Sequence, residues 1–259
     1  MPITDMDMTA IAIILAGVFG ATFGSFINVV IYRLPRGESL LAPGSHCPSC
    51  SAAVKPYDNV PVLAWLWLRG RCRSCRAAIS ARYPVVEAAT ALLCAGVLLA
   101  HSSAAAIALG LLTVLVLVPI AAIDLEHHVI PNRITAPAAV LALALGSALD
   151  PSGEPARLIA CAVAGGFFLL AAVISPRGMG MGDVKLAALL GLLLGVEVAP
   201  ALLIALVAGV VVGVIVVARR APEERRRAGV PFGPFLALGG LTAIYAGHAI
   251  LHAYLHGLG

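Results

Sequence analysis

The chain has 259 residues, of which 61% are hydrophobic and 12% charged, with a formal net charge of +4. Soluble domains carry roughly 45–50% apolar and about 25% charged residues. A water-soluble globular domain is therefore excluded, an integral membrane protein embedded in a lipid bilayer is expected, and no nucleic-acid partner is expected.

A helix needs about 20 apolar residues to cross the hydrocarbon core. Eight stretches meet that rule: 8–32, 83–101, 103–123, 133–149, 156–175, 181–198, 199–218 and 232–256. Open sheets are excluded in lipid, and no stretch alternates as a barrel strand does. The expected fold is an all-α polytopic membrane protein of about eight helices, without internal repeats. The first stretch is flanked by Asp5 and Asp7 instead of the basic residues of a cleaved signal, so it is expected to stay as a permanent span. Three regions follow: a first membrane helix over 1–32, a polar Cys-bearing loop over 33–82, and a seven-helix membrane core over 83–259. The apolar run from Leu186 to Val198 is too short to cross alone, so its helix must begin near Gly180.

With eight spans, the loops 33–82, 124–132, 175–185 and 219–231 fall on one side. They hold Arg33, Arg36, Lys55, Arg69, Arg71, Arg73, Arg76, Arg82, Arg133, Arg177, Lys185, Arg219, Arg220 and Arg225 to Arg227, against only Arg157 on the other side. Lys and Arg mark the cytoplasmic face, so those loops are expected in the cytoplasm and both termini outside it.

Cys47-Pro-Ser-Cys50 and Cys72-Arg-Ser-Cys75 form two C-x-x-C knuckles in the first of these loops. Four thiolates at this spacing suit a tetrahedral structural zinc ion. A pair of disulfides or a redox motif is the other reading; a reducing compartment disfavours the disulfides. Cys94 and Cys161 stand alone in apolar segments and read as small hydrophobes.

Two acids stand at helix ends within this apolar chain. Asp124 ends the third span, and Asp183 opens the sixth within Gly180-Met181-Gly182-Asp183. Ionisable groups there are costly and point to function, and the topology puts both on the cytoplasmic face. Two close carboxylates share a proton, so one can activate water while the other protonates the scissile amide. Helix polarity suggests Asp183, near a helix N-terminus and Lys185, as the base, and Asp124, at a helix C-terminus, as the acid. Two other readings stand beside this: helix capping by Asp124, Glu126, His127 and His128, and metal binding by the same four. His248, His252 and His256 recur at helical spacing and read as surface, and Trp65, Trp67 and Tyr83 read as interfacial anchors.

An ordered series of motifs resembles the bacterial prepilin peptidases, a family of GxGD-type intramembrane aspartyl proteases. It comprises Gly24-Ser25-Phe26-Ile27-Asn28 through Arg33-Leu34-Pro35, the paired knuckles, Ile79 to Pro84 with Glu87, Asp124 to Asn132, Gly180 to Leu186, and Pro231-Phe232-Gly233-Pro234-Phe235. The resemblance covers nearly the whole chain. It implies cleavage of leader peptides from type IV prepilins and type II secretion pseudopilins at the cytoplasmic face of the inner membrane, with Asp124 and Asp183 as the catalytic pair. The pilus or secretion assembly machinery is then an indirect partner. The resemblance further implies N-methylation of the new terminus by S-adenosylmethionine, with Gly24, Ser25, Asn28 and Arg33 near the cofactor, and Gly180, Gly182, Lys185 and Glu87 near the substrate. Glu38 or Glu87 could deprotonate the amine. Asn132 stands where many relatives carry Asp, so one acid of that motif is missing. A peptidase without methyl transfer, and a transporter with a regulatory zinc loop, are the alternative readings.

Overall fold

The computed structural model describes residues 3–175, 179–219 and 230–257. Arg177, Arg220 and Arg225 to Arg227, counted above among the basic loop residues, lie outside the described residues. The chain forms two compact units, Met1–Ser102 and Ser103–Gly259.

In the first unit, α1 (Ile3–Arg33) packs along α3 (Arg82–Ala100), and the polar loop between them carries the short α2 (Leu63–Trp67). Gly24 sets the spacing of the pair: a Cβ there would stand 2.8 Å from the Glu87 Cα. Small residues allow this approach in lipid, where no hydrophobic effect drives helices together. Asn28 ties the same pair by polar contacts, its Nδ2 donating to the carbonyls of Gly24 (3.3 Å) and Tyr83 (3.1 Å).

The second unit holds α4 (Ala104–His127), α5 (Asn132–Leu149), α6 (Glu154–Ile174), α7 (Met181–Leu194), α8 (Val198–Arg219) and α9 (Gly233–His256). Phe168, Leu117, Ile120, Leu186, Leu190 and Leu236 are fully buried at its centre. The Ser103 side chain caps α4, accepting from the Ala106 N–H at 3.2 Å. His128 closes the same helix in the left-handed conformation, φ 54°.

Seven helical stretches among the described residues are long and apolar enough to cross a membrane. One of them, Met181–Val216, has 36 residues, about 54 Å of helix against a hydrocarbon core of about 30 Å. It is not a single rod. At Gly195 the backbone turns to φ +58°, a conformation glycine adopts without steric cost, and a 3₁₀ turn runs through Glu197. The neighbours of each end show a reversal. Gly182 at the start of α7 lies on Ile130, while Gly195 at its end lies on Arg157. Glu197 meets Gly247 late in α9, whereas Gly209 in α8 meets Phe232 and Phe235 at the beginning of α9. α7 and α8 therefore run in opposite directions, which brings the long apolar helices among the described residues to about eight, as hydropathy suggests. α7 also begins one residue after Gly180, as the shortness of its apolar run requires.

Arg157, the lone basic residue of the sparsely charged side, is buried and fully paired. It bonds Asp150 Oδ2 (2.8 Å) and Glu154 Oε2 (2.9 Å) and also reaches the Asp150 carbonyl (2.6 Å). Its charge is neutralised within a ring of helix ends, which leaves that face with even less free positive charge than the count suggests.

Candidate active site and metal centre

Asp124 sits in the last turn of α4 and is only 5% exposed. Its Oδ2 accepts the N–H of Gly233, the first residue of α9, at 2.9 Å. A Cβ at position 233 would lie 2.6 Å from that oxygen, so only glycine lets the backbone come this close. Gly233 thus holds the Asp124 carboxylate, a contact that spacing alone does not reveal; its place in a Pro-Phe-Gly-Pro-Phe run is the available signal.

Asp183 occupies the first turn of α7, half-buried, and its Oδ2 accepts the Gly180 N–H at 3.2 Å. This is the carboxylate half of a capping box, which satisfies a donor left free at the helix start. α4 and α7, which carry Asp124 and Asp183, pack together with α9, whose first residue holds Asp124. The approach is made by Gly182, whose absent side chain lets α7 begin against Ile130: a Cβ there would stand 3.0 Å from the Ile130 Cβ.

Helix polarity does not distinguish the two acids in this geometry. Asp124 is at the C-terminus of α4, but its carboxylate also faces the N-terminus of α9. Both acids therefore stand at the positive end of a helix dipole, and polarity no longer separates base from acid. Lys185 does not support Asp183 either. Its Nζ donates to Asn132 Oδ1 at 3.1 Å, and among the described residues no ion pair joins it to Asp183. The Asn132 position thus holds a lysine through a neutral amide instead of an acid.

In the first unit, the Sγ atoms of Cys47, Cys50, Cys72 and Cys75 all lie within 4.8 Å of one another, and those of Cys47 and Cys75 are 3.7 Å apart. Zinc–sulfur bonds of about 2.3 Å in a tetrahedron space the sulfurs about 3.8 Å apart, so the donor set and its spacing fit a tetrahedral metal such as zinc. All four cysteines are free of disulfides. The two knuckles repeat one local structure. Cys47 N–H bonds the Ala52 carbonyl and Cys72 N–H the Ala77 carbonyl (2.9 and 2.8 Å), with Ser51 and Arg76 at φ 57° and 62° in matching places. Backbone N–H groups of Ser49 and Cys50 directed at Cys47 bring its thiol down to about 6, while Cys50, against the Ala52 N–H directed at it, is pushed up to about 12 by the thiols beside it, so the close thiols share their protons. Among the described residues this is the sole group of three or more His, Cys, Asp or Glu arranged to hold a metal; Asp124, Glu126, His127 and His128 do not form one.

Beside the knuckles, a cavity of about 800 Å³ is lined by Ser25, Asn28, Arg33, Asp58, Tyr83 and Glu87, among others. That volume is in the range of small-molecule sites. Asn28 is 1% exposed, and its Oδ1 has no partner. Buried polar atoms are paired in the great majority of cases, so this one marks a place where a ligand donor fits. The buried Glu87 carboxylate accepts the Val62 N–H at 2.7 Å and the Ser25 side chain also reaches it. Arg33 is spent on architecture: its guanidinium donates to the carbonyls of Ser39 (3.0 Å) and Pro43 (2.7 Å), pinning the loop that walls the cavity. Gly24 is a helix contact. Of the four residues expected near a cofactor, Ser25 and Asn28 therefore present groups to the cavity, while Arg33 and Gly24 build it.

Residues 18–101 match the Bacterial Peptidase A24 N-terminal domain, and residues 109–217 match the Type IV leader peptidase family. Three curated relatives carry the name prepilin leader peptidase/N-methyltransferase. That of Aeromonas salmonicida is 34% identical, covering 93% of each chain. That of Burkholderia pseudomallei is 37% identical over 92% of this chain and 87% of the relative. That of Pseudomonas aeruginosa is 32% identical over 98% of both. No solved structure matches the chain.

Proposed function

The chain belongs to the type IV leader peptidase family, and from that premise we propose that it cleaves prepilin leader peptides with Asp124 and Asp183 and N-methylates the new terminus in the cavity beside the four cysteines. Membership removes the transporter reading and makes the chain a multi-pass inner-membrane enzyme. The single observation that supports the assignment of the acids is their placement: two aspartates distant in sequence stand at the ends of α4 and α7, which pack with α9, and each is held by one backbone N–H.

In hydrolysis the ionised carboxylate of the pair takes a proton from water as the oxygen attacks the scissile carbonyl. The protonated carboxyl delivers its proton toward the leaving amine. The pair ends with its proton redistributed and ready for another turnover, so it acts as one unit. Each carboxylate has one oxygen bonded to backbone, which leaves its other oxygen for water or substrate. Pseudopilins of type II secretion are proposed as further substrates of the same pair.

Methylation needs a neutral amine, and an α-amino group titrates near about 7.7–8.0. Glu87 is proposed to accept the ammonium proton, and Asn28 Oδ1 to accept a hydrogen bond from the ligand. S-adenosylmethionine, the proposed donor, supplies an electrophilic methyl group when bound. Zinc is proposed for the four thiolates, where it closes the loop that walls the cavity. The basic loops support a cytoplasmic placement for both the acids and the zinc loop.

Incubation of the purified enzyme with a prepilin, followed by mass spectrometry of the product N-terminus, reads both reactions at once. Asp124→Asn and Asp183→Asn should each abolish cleavage in an inserted, zinc-loaded protein. Persistent cleavage by either variant overturns the assignment of the pair, and failure of the native enzyme to methylate pre-cut pilin leaves a peptidase alone.

A further inference from the structure

We propose that α2 and its flanks form an interfacial anchor, seated in the lipid leaflet beside α3, with an apolar face in the acyl boundary and a basic rim on anionic headgroups. The proposal rests on the first unit alone and does not depend on the roles of the two aspartates.

α2 is a single turn and a half with two distinct faces. Ala64 is buried, and Trp65 is directed inward, its Nε1 donating to the Ile79 carbonyl at 3.1 Å and its ring covering Gly70. Leu63, Leu66 and Trp67, at positions i, i+3 and i+4, make the other face and are 62%, 58% and 81% exposed. Exposed apolar residues scattered singly need no explanation, but three on one helical face mark a surface that meets something.

The level of this face in the membrane is fixed by α3. That helix has 19 residues, about 28 Å, so all of it is needed to span a hydrocarbon core of about 30 Å. Glu87 stands five residues inside its start, about 7–8 Å below Arg82. The Val62 N–H, immediately before α2, is bonded to the Glu87 carboxylate at 2.7 Å. Side chains on a helix lean toward its N-terminus, so the carboxylate stands between the levels of Glu87 and Arg82, and Val62 is held close to the start of α3 instead of clear of it. Val85 of α3, two residues before Glu87, is 63% exposed, so the spanning helix offers an apolar side chain to lipid at this level. Val62 itself adopts φ +61°, unusual for a β-branched residue, at the point where the chain turns to lay α2 down.

Charge completes the fit. Arg69, Arg71 and Arg76 follow α2 directly, and all three are exposed. A short apolar face with Trp at its edge and arginines beside it is the pattern of segments that lie in the headgroup region, about 5–10 Å into the acyl boundary. Anionic lipids attract such a rim. The consequence for the cavity is direct: its floor at Glu87 and Asn28 lies near the membrane boundary, where the first residue of a cleaved membrane-helix substrate emerges.

The test uses the full chain, zinc-loaded, in vesicles of phosphatidylcholine with or without phosphatidylglycerol. The chain has two tryptophans, so the difference between the native protein and Trp67→Phe isolates Trp67. Bromine placed on the acyl chains should quench Trp67 about twofold or more, while aqueous iodide quenches it little, as expected for a ring at the acyl boundary. Phosphatidylglycerol should strengthen the quenching, and Arg69→Gln/Arg71→Gln/Arg76→Gln should remove that increase. A tryptophan placed by Leu66→Trp in the Trp67→Phe background should give the same result from the same face. Quenching by iodide with none from the brominated lipids overturns the proposal. Protection that appears only after a prepilin is added also overturns it, and assigns the face to substrate docking.

Discussion

The acid pair of the second unit is held by backbone: Gly233 donates to Asp124 across 109 residues of sequence, and Gly180 donates to Asp183 three residues away. The polar groups of the first unit are held instead by side chains and by a loop. Asn28 and Glu87 rise from packed helices, but the wall opposite them is a segment shaped by four cysteines, an Arg33 clamp and two matching turns. A backbone-fixed pair depends on helices that the bilayer already stabilises. A loop of this size has too little core to fold on its own, so its shape would follow the metal proposed for its four cysteines. The two reactions should therefore fail separately, and the clearest experiments are those that try to make them fail together.

The largest effect is expected at the acids. Asp124→Asn and Asp183→Asn should each lower the cleavage rate by on the order of 10⁴-fold, because residues that act as a unit lose nearly everything with either member. Methylation of a pre-cut pilin by the same variants should stay within about twofold, since neither carboxylate belongs to the cavity. Removing the metal should give the mirror image. Chelation, or Cys47→Ser with Cys72→Ser, should cut methylation by on the order of 10²-fold as the loop loses its fold, with cleavage retained. Parallel assays of cleavage by gel shift and methylation by labelled methyl transfer check both. Loss of the two activities together in either experiment breaks the comparison.

Single-group changes sharpen it. Gly233→Ala forces a methyl group into the 2.6 Å gap before Asp124 Oδ2. It should cost about 10²-fold in cleavage, the scale of a displacement near 1 Å at reacting groups, without altering zinc content. Asn28→Leu removes the unpaired Oδ1 together with its bonds to Gly24 and Tyr83, and should raise the methyl donor's KM about tenfold. Asn28→Asp, which keeps an acceptor there, should recover part of that loss. The comparison of the two variants separates ligand contact from helix packing.

Much of this was legible in sequence for a simple physical reason: hydropathy, Cys spacing and helix-end acids are local signals. The eight helices, the start of α7 next to Gly180 and the four-cysteine cluster all follow from such signals. What was not legible depends on contacts between distant segments. Spacing put Lys185 beside Asp183 on one helix, but its long side chain crosses to Asn132. The resemblance sets Arg33 near the cofactor, and its guanidinium donates to carbonyls of a loop whose path no periodicity predicts. Asp124 is a helix C-terminal residue, as its place in the sequence suggests, but the N-terminus of α9 that also faces it arrives from far along the chain. Gly24 also lets α1 approach the Glu87 backbone, and Gly182 lets α7 begin against the Ile130 side chain, roles that sequence does not display.

The smallest predicted effect tests the loop's inner bracing. Arg73, inside the second knuckle, forms a two-pronged contact with Asp58, with bonds of 2.5, 2.8 and 3.1 Å. It ties that knuckle to the 3₁₀ turn Pro56–Asn59 on the cavity wall. The pair is partly exposed, and such pairs contribute modestly, so Asp58→Asn should speed zinc loss to a chelator only about two- to fourfold. The Arg73 guanidinium holds the Asp58 carboxyl below its usual range. A group whose folded pKa is depressed contributes stability above its unfolded pKa, about 3.9 for Asp, and loses it as pH falls through the lower folded value. The contact is therefore fully formed at any pH above about 5, and the ratio of zinc-loss rates between variant and native protein should be flat from there to pH 8. A ratio that collapses to one at pH 5 means that the carboxyl has already taken up a proton, and that the knuckle is braced by something other than this pair.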